Sequence, residues 1–335
     1  MPTQNHKHLA APPETLIRQK ISSALGGSVG LFYPGLTKRP DLNDPVNRIR
    51  KLLANNGTTL LENSPGSRFN IALSGDGGVL GLHRHVQTEL AAYVGFNTGH
   101  VGAISEMALT DLEVTLQKIL NGNYDLVPLA RIAMVTGLKQ RSIDIWNNTI
   151  FSLGDAYPMR HPLTAINEIF FRSQRRSLNI VLYMEAAHPQ FGAMLKLPLC
   201  DGLMLYTPTG YTGWAHEYFG EPIEPGHIGV LPVGTQNRHP GFAIPAASRL
   251  GVYIHVPKGA DAICCVDALR HTMTEGIHHV EMGSYPIPFF MLRPSGFLGR
   301  TVEEIIARKK ANVDAFDAPY PSTTEFFDAL NLLTL

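Results

Sequence analysis

Cysteine is scarce: three residues in 335, two of them adjacent at Cys264 and Cys265. Such a chain cannot carry a disulfide framework, and with neither a CxxC pair nor a Cys/His zinc spacing it offers no metal site of its own. Net charge is lacking too, since 28 basic residues balance 28 acidic ones. That leaves no electrostatic footprint for nucleic acid or for an anionic membrane. Apolar runs are short; the stretch from Ile180 to Met184 is far below the length of a bilayer span, so no membrane segment is expected. The segment Met1 to His8 lacks the apolar core and small-residue cleavage site of a secretory signal, which makes the cytoplasm the expected location. Repeats and low-complexity tracts are absent from the sequence. What is present is a globular balance, 44% hydrophobic and 17% charged, in a chain long enough for about two domains. Small-molecule chemistry becomes the leading functional class.

Strand-like and helix-like stretches alternate in the first part of the chain. Ser28 to Tyr33 reads as a strand, and Asp44-Pro45 opens a helix whose apolar stripe is Val46, Ile49, Leu52 and Leu53. Phe69 to Leu73 reads as a buried strand running into Ser74-Gly75-Asp76-Gly77-Gly78; a helix is expected from Val79 to Ala92, and a strand from Tyr93 to Asn97. A further helix is expected from Thr110 to Leu120, with a Thr110/Glu113 capping box. This alternation predicts a parallel sheet covered by helices, with ligands beyond the carboxyl ends of its strands. From Leu126 the pattern changes to short apolar runs separated by Gly, Pro and Asn, which predicts a β-rich second domain with an exposed loop at Pro158 to Pro162. The expected division is a 1–27 extension, an α/β domain at 28–125, a β-rich acceptor-binding domain at 126–290 and a helical C-terminal extension at 291–335. The last contains a helix from Thr301 to Val313 with a Thr301/Glu304 capping box and a Glu304/Arg308 pair, expected to serve packing or an oligomer surface.

The chemistry gathers at four places. Ser74 to Gly78 puts one carboxylate, Asp76, on a backbone that can approach phosphates closely, immediately before a helix N-terminus that favours anions. Asn97-Thr-Gly99-His-Val-Gly102-Ala103 follows. Asn167-Glu168 then offers a donor and acceptor for a base edge and a carboxylate for paired ribose hydroxyls, from an expected strand end. Last comes Asp201-Gly-Leu-Met-Leu-Tyr-Thr207-Pro-Thr209-Gly210-Tyr-Thr212-Gly213-Trp214-Ala-His-Glu217. His83 and His85, two apart on a helix, point to different faces and make no metal site, and His278-His279 reads as a surface pair. Arg172, Arg175 and Arg176 read as a solvated turn.

These four segments, in this order, resemble the NAD kinase family, with its GGDG turn, its NxGxLGFL-type loop, its NE pair and its DGL...TPTGSTAY segment. The resemblance spans roughly residues 28 to 258. It implies an α/β domain joined to a β-rich domain, transfer of the ATP γ-phosphoryl group to a ribose hydroxyl, Mg2+ arriving with ATP, and a homo-oligomer, dimer or tetramer. It also implies roles: Asp76 as base; Ser74, Gly75, Gly77, Gly78, Gly99 and Gly102 around the phosphates; Asn167, Glu168, Asp201, Thr209, Thr212, Gly213, Trp214, Glu217 and Ala103 around the acceptor. Arg238-His239-Pro240 matches a segment near the acceptor. An Asp76→Asn change is expected to spare folding. The departures are Ser74 for the first glycine of GGDG, Gly78 for the following threonine, Ala103 for an aromatic, and Gly213, Trp214 and Glu217 in the TAY loop. They reshape the acceptor slot, so two alternatives stand beside NAD phosphorylation: a kinase of another nucleoside-type acceptor, and a non-catalytic dinucleotide-binding protein.

Overall fold

The computed structural model describes residues 14–35, 37–63, 68–86, 89–99, 101–136, 141–144, 149–152, 163–174, 176–184, 194–235, 239–267 and 269–316. The elements run α1 (Glu14–Leu25), β1 (Ser28–Phe32), α2 (Asn43–Asn55), β2 (Thr59–Glu62), β3 (Phe69–Leu73), α3 (Asp76–Val86), β4 (Ala92–Phe96) and α4 (Leu112–Leu120). There follow β5 (Tyr124–Thr136), β6 (Arg141–Asp144), β7 (Thr149–Ser152), β8 (Leu163–Ala165), β9 (Glu168–Ser173), β10 (Asn179–Met184), β11 (Met194–Lys196), β12 (Gly202–Tyr206) and α5 (Trp214–Glu217). The chain continues through β13 (His227–Val233), β14 (Phe242–Pro245), β15 (Leu250–Val256), β16 (Ala262–Val266), β17 (Leu269–Met273) and β18 (Gly276–Pro294) to α6 (Val302–Phe316).

The expected parallel sheet is present: β2, β1, β3, β4 and the end of β18 lie side by side and run parallel. Strands β3 and β4 are buried at every residue, the pattern of a parallel sheet covered on both faces. A second sheet, β14-β13-β12-β9-β16-β17, is antiparallel throughout. The two are not separate in sequence order. Within the first sheet, the 19-residue β18 pairs with β15 from Gly276 to Met282, with β5 from Val280 to Pro294 and with β4 at Phe290 and Met291, so it joins the parallel strands to the antiparallel strands β15, β10 and β11. Its register against β5 shifts between Tyr285 and Phe289, where Pro286 and Pro288 have no N–H to give the ladder. One large core lies between β9, β12, β13 and β16 and the strands β10, β15 and β18. On the outer face of the second sheet, Phe170, Met204 and Leu231 pack under Tyr211, Ala215 and the partly buried Val302 and Ile306, so α5 and α6 cover that face.

Several local expectations change. Helix α3 starts at Asp76 itself and ends at Val86, short of Ala92, because Ala92 is already paired in β4. Helix α4 starts at Leu112 behind a 3-10 turn, and Thr110 Oγ1 donates to Asp111 rather than capping the helix. The Thr301/Glu304 box does form, with reciprocal bonds of 2.8 and 3.2 Å, whereas Arg308 turns away from Glu304 and donates to Val101 O at 3.2 Å. The expected loop at Pro158 to Pro162 lies outside the described residues.

The loop after β4 is fixed from beneath by an ion pair. Arg293 of β18 donates to Glu106 through Nε at 2.6 Å and Nη2 at 2.7 Å, and the Glu106 side chain is 2% exposed. Removing one partner of a buried pair leaves the other uncompensated, so Glu106→Gln should lower stability by about 3 kcal/mol. Denaturant unfolding measures this; a loss below about 1 kcal/mol would show that the pair does not hold the loop.

Candidate active site

Strand β3 ends at Leu73, Ser74-Gly75 form the turn, and Asp76 is the first residue of α3. A turn this tight works because Gly75 and Gly99 meet backbone to backbone: a Cβ on Gly99 would stand 3.2 Å from Gly75 Cα. Ser105 Oγ donates to Ser74 O at 2.6 Å, joining the turn to the loop that follows β4. Asp76 holds that same loop. Its Oδ2 accepts Ala103 N–H at 2.8 Å, and its Oδ1 accepts Ile104 N–H at 2.9 Å and Ser105 N–H at 3.1 Å. Gly102, at φ +67, reverses the chain just before these donors, and any Cβ there would meet Asn97 Nδ2 at 2.4 Å. Asp76 therefore carries structure, and an asparagine would turn an amide hydrogen toward donors. The expectation that Asp76→Asn spares folding is corrected by this geometry.

The two departures at this turn are one exchange. A Cβ on Gly78 would lie 2.3 Å from both Cβ and Oγ of Ser74, so only one of the two positions can carry a side chain. Ser74 is 5% exposed, and its Oγ has no hydrogen-bond partner. The hydroxyl that the family pattern carries after the aspartate is here carried two residues before it.

Asn167 and Glu168 lie at the bend from β8 to β9, with Glu168 opening β9 rather than ending a strand. The bend is organised by Asp267, which the sequence did not single out. Its carboxylate accepts Ile166, Asn167 and Glu168 N–H at 2.9, 3.0 and 3.1 Å. Asp267 takes φ +47, a left-handed conformation that aspartate tolerates better than most residues. An aspartate directly after the apolar run Ala262–Val266 was the available signal. His83, two turns along α3 from Asp76, packs on Asp267: its Nδ1 lies 3.5 Å from Oδ2, while Thr164 Oγ1 lies 3.3 Å from Nε2. The acceptor-only carboxylate assigns the proton to Nδ1 and leaves Nε2 to accept from Thr164. Burial pushes the imidazole's pKa down, with Arg131 acting in the same direction and Asp267 against it. His83 is thus a buried strut between the Asp76 helix and the Asn167-Glu168 bend.

Glu168 is 7% exposed, and neither its Oε2 nor Asn167 Oδ1 has a hydrogen-bond partner. Burial, with a smaller contribution from Asp267, raises the Glu168 pKa to about 8 against the opposing pull of Lys309. The Thr207–Glu217 segment closes over this pair. Thr207 N donates to Asn167 O at 2.9 Å, Thr212 Oγ1 donates to Thr209 O at 3.0 Å, and a Cβ on Gly210 would run into Asn167 O. At Gly213 a Cβ would lie 3.0 Å from Gly210 O and 3.3 Å from Glu168 Oε2. The alanine of the family pattern would therefore press on the glutamate. Trp214 is 40% exposed and sets its ring edge to Phe170 at 5.8 Å; Glu217 is exposed on α5.

Not every expected residue gathers here. Asp201 precedes β12, whose register sets Tyr206 beside Glu168 and Gly202 beside Arg172. Five strand residues, roughly 16 Å, separate its end from the bend. There Asp201 accepts Ser177 Oγ at 3.2 Å, and Arg172 belongs to that same distant end. Arg175 and Arg238 lie outside the described residues; His239 N–H donates to Thr235 Oγ1 within its own turn. The sequence also missed three cations from the C-terminal segment. Arg300 donates to Gly102 O and to Glu106 O, Arg308 to Val101 O, and Lys309 to Gly213 O at 3.4 Å. Among the described residues, no group of three His, Cys, Asp or Glu side chains could hold a metal ion, and no helix is long and apolar enough to cross a membrane.

Two outcomes follow from this geometry. Gly78→Thr alone should cost about 1–3 kcal/mol by overpacking against Ser74, and Ser74→Gly in the same chain should recover most of it; additive losses in thermal unfolding would refute the exchange. For Glu168 the folded pKa, about 8, stands above the ordinary 4.5. Between those values the folded state keeps a proton that the unfolded chain has released, so stability falls as pH rises through that window. Glu168→Gln should flatten this part of the Tm profile, and parallel profiles for the two proteins would show that the carboxyl titrates normally.

No protein-family model matches the chain. It is 27% identical over 181 residues to an NAD kinase from Bordetella avium, a match covering 53% of this chain and 54% of that protein. The chain thus spans about half the length of that relative. Among solved structures it resembles an NAD kinase from Archaeoglobus fulgidus in complex with ATP, with TM-score 0.60 and 16% identity over 83% of this chain and 98% of that one. It also resembles yeast NADH kinase complexed with NADH, with TM-score 0.64 and 14% identity over 89% of each chain. At those identities the solved structures share the fold. In sequence over half its length and in fold over most of it, the chain is similar to NAD kinases.

Proposed function

We propose that the chain is an ATP-dependent kinase that phosphorylates a ribose hydroxyl of NAD, NADH or a closely related nucleotide. One observation carries this reading: Asn167 Oδ1 and Glu168 Oε2, on adjacent residues beneath the closing Gly213, are buried and have no partner within the protein. Buried polar atoms are nearly always satisfied, so a polar ligand with hydroxyl and amine donors fits there. In this reading the acceptor's ribose lies between Glu168 and Asp76. Asp76 Oδ2 accepts one backbone N–H and keeps one lone pair, enough to take a hydroxyl proton. The hydroxyl oxygen bonds to the γ-phosphorus while the bond from that phosphorus to the β–γ bridging oxygen breaks, ADP leaves, and the proton passes to Asp76. The exposed glycines Gly77 and Gly78 at the start of α3 leave backbone accessible to phosphate oxygens. With a single carboxylate at the turn, the site fits Mg2+ carried by the triphosphate and its waters, where it supplies neutralisation of the β and γ charges. A cytoplasmic setting and a homo-oligomer, dimer or tetramer, belong to the same reading.

A specific observation keeps a second acceptor in play. Ala103 presents no ring beside Asp76, and Trp214 is half out in solvent, so the stacking surface offered to a nucleobase differs from the family pattern. NAD should then be used less efficiently than another adenosine-containing acceptor.

Transfer from labelled ATP to NAD, NADH and free nucleosides tests both points. Phosphorylation of at least one is expected, and none at all would leave a binding protein. Asp76→Asn should lower turnover at least about a hundredfold, the scale of a lost general base, and should lower Tm as well. A folded variant with near-wild-type turnover would remove Asp76 from the chemistry.

A further inference from the structure

Phosphoryl transfer needs positive charge around the moving group, yet the Ser74–Gly78 turn contains none. Arg39 reaches Thr98 O but is paired with Asp41, and further cations come from the far end of the chain. The Thr301/Glu304 box fixes the register of α6, and Val302, Ile305, Ile306 and Lys309 then fall on one stripe. Ile305 is 6% exposed, and Val302 and Ile306 pack on the core under α5, so Lys309 is carried inward on the apolar face, with its side chain 26% exposed. Its ammonium reaches Gly213 O at 3.4 Å and Glu217 Oε1 at 3.5 Å, and its charge is felt by Glu168. Arg308, the preceding residue, reaches the opposite loop at Val101 O, two residues from the Ala103 N–H that Asp76 holds. Adjacent residues of one helix therefore touch the loops on the two sides of the site. Arg300 adds a second guanidinium on the Asp76 side: its pKa is lowered by burial and then by Arg308, with Glu106, Asp76 and Glu304 opposing. Among the described residues, no carboxylate lies within ion-pair distance of Arg300 or Arg308. Guanidinium groups held on backbone carbonyls, beside a like charge and without a carboxylate partner, are arranged for an incoming anion.

We propose that Arg308 and Lys309 of the C-terminal helix bind the polyphosphate of the donor as it spans the gap between the Asp76 loop and the Gly213 loop, with Arg300 positioning the Val101–Glu106 loop beneath it. This rests on the kinase reading for its substrate but not for its geometry. Glu217 partly neutralises Lys309 and so weakens the site, which gives a variant that should act in the opposite direction.

Calorimetric titration of the full chain with inorganic tripolyphosphate tests it. The wild type should bind; Arg308→Met and Lys309→Met should each weaken binding at least about fivefold with Tm unchanged. Arg308→Lys and Lys309→Arg, which keep the charge, should retain most of it, and Glu217→Gln should tighten it. Absence of binding by the wild type, or equal binding by folded Met variants, would overturn the proposal. If either Met variant fails to fold, Glu217→Gln decides, because unchanged affinity there also overturns it. The kinase reading fails separately: binding that depends on Arg308 and Lys309, with no phosphoryl transfer to any acceptor, would sink that reading alone. An active kinase whose ATP KM ignores both Met changes would sink this one alone.

Discussion

The arrangement around the site depends on one repeated interaction, a carboxylate that accepts three consecutive backbone N–H groups. Asp76 takes those of residues 103 to 105, and Asp267 takes those of 166 to 168. Each ties together segments remote in sequence. Loops cannot hold side chains to the precision that group transfer needs unless their backbone is itself bonded down. Here the bonding is charge-assisted, about twice as strong as between neutral groups. The two clamps also communicate. His83, on the helix that Asp76 begins, packs against Asp267, so the Ser74–Gly78 turn and the Asn167-Glu168 bend share a buried connection.

This dual use of carboxylates bears on what a sequence can show. Asp76 stood out because glycines surround it, and Asn167-Glu168 because of an ordered set of motifs. The alternation of strand and helix through Asn97 gave the parallel sheet correctly. Asp267 carried no comparable signal, since its partners are backbone amides a hundred residues away, which no local pattern records. The same holds for β18, whose 19 residues include Pro286 and Pro288 and looked like interrupted short runs. The register shift against β5 falls at those prolines, within the strand that joins the parallel and antiparallel parts of the first sheet.

The C-terminal helix shows the limit most clearly. Its capping box and apolar stripe were legible, and both are local. Its position was not, because packing on the outer face of the second sheet depends on Phe170, Met204 and Tyr211, residues from three other segments. A helix read alone as a packing surface becomes, once placed, the source of positive charge beside a turn that has none. Asp201 makes the reverse case. Its motif match was good, but a straight five-residue strand carries it away from the bend that the same segment's threonines cover.

The substitutions in the phosphate turn look in sequence like decay of a motif. In space they are correlated, because the Ser74 side chain fills the volume that any side chain at position 78 would need. Decay has no reason to preserve volume. A serine gained where a glycine is usual, together with a side chain lost where a threonine is usual, keeps one small hydroxyl-bearing group in the turn and leaves Asp76 on its three amide donors. The change at Gly213 has a similar logic: a methyl there would lie 3.3 Å from Glu168 Oε2, so its loss relieves the buried carboxyl whose pKa is already raised. Steric exchange at the Ser74–Gly78 turn and relief at Gly213 both leave the hydrogen-bonding groups in place. On the kinase reading, a site altered in this way keeps its hydrogen-bonding groups while changing its shape, which favours a changed preference among acceptors over a loss of catalysis.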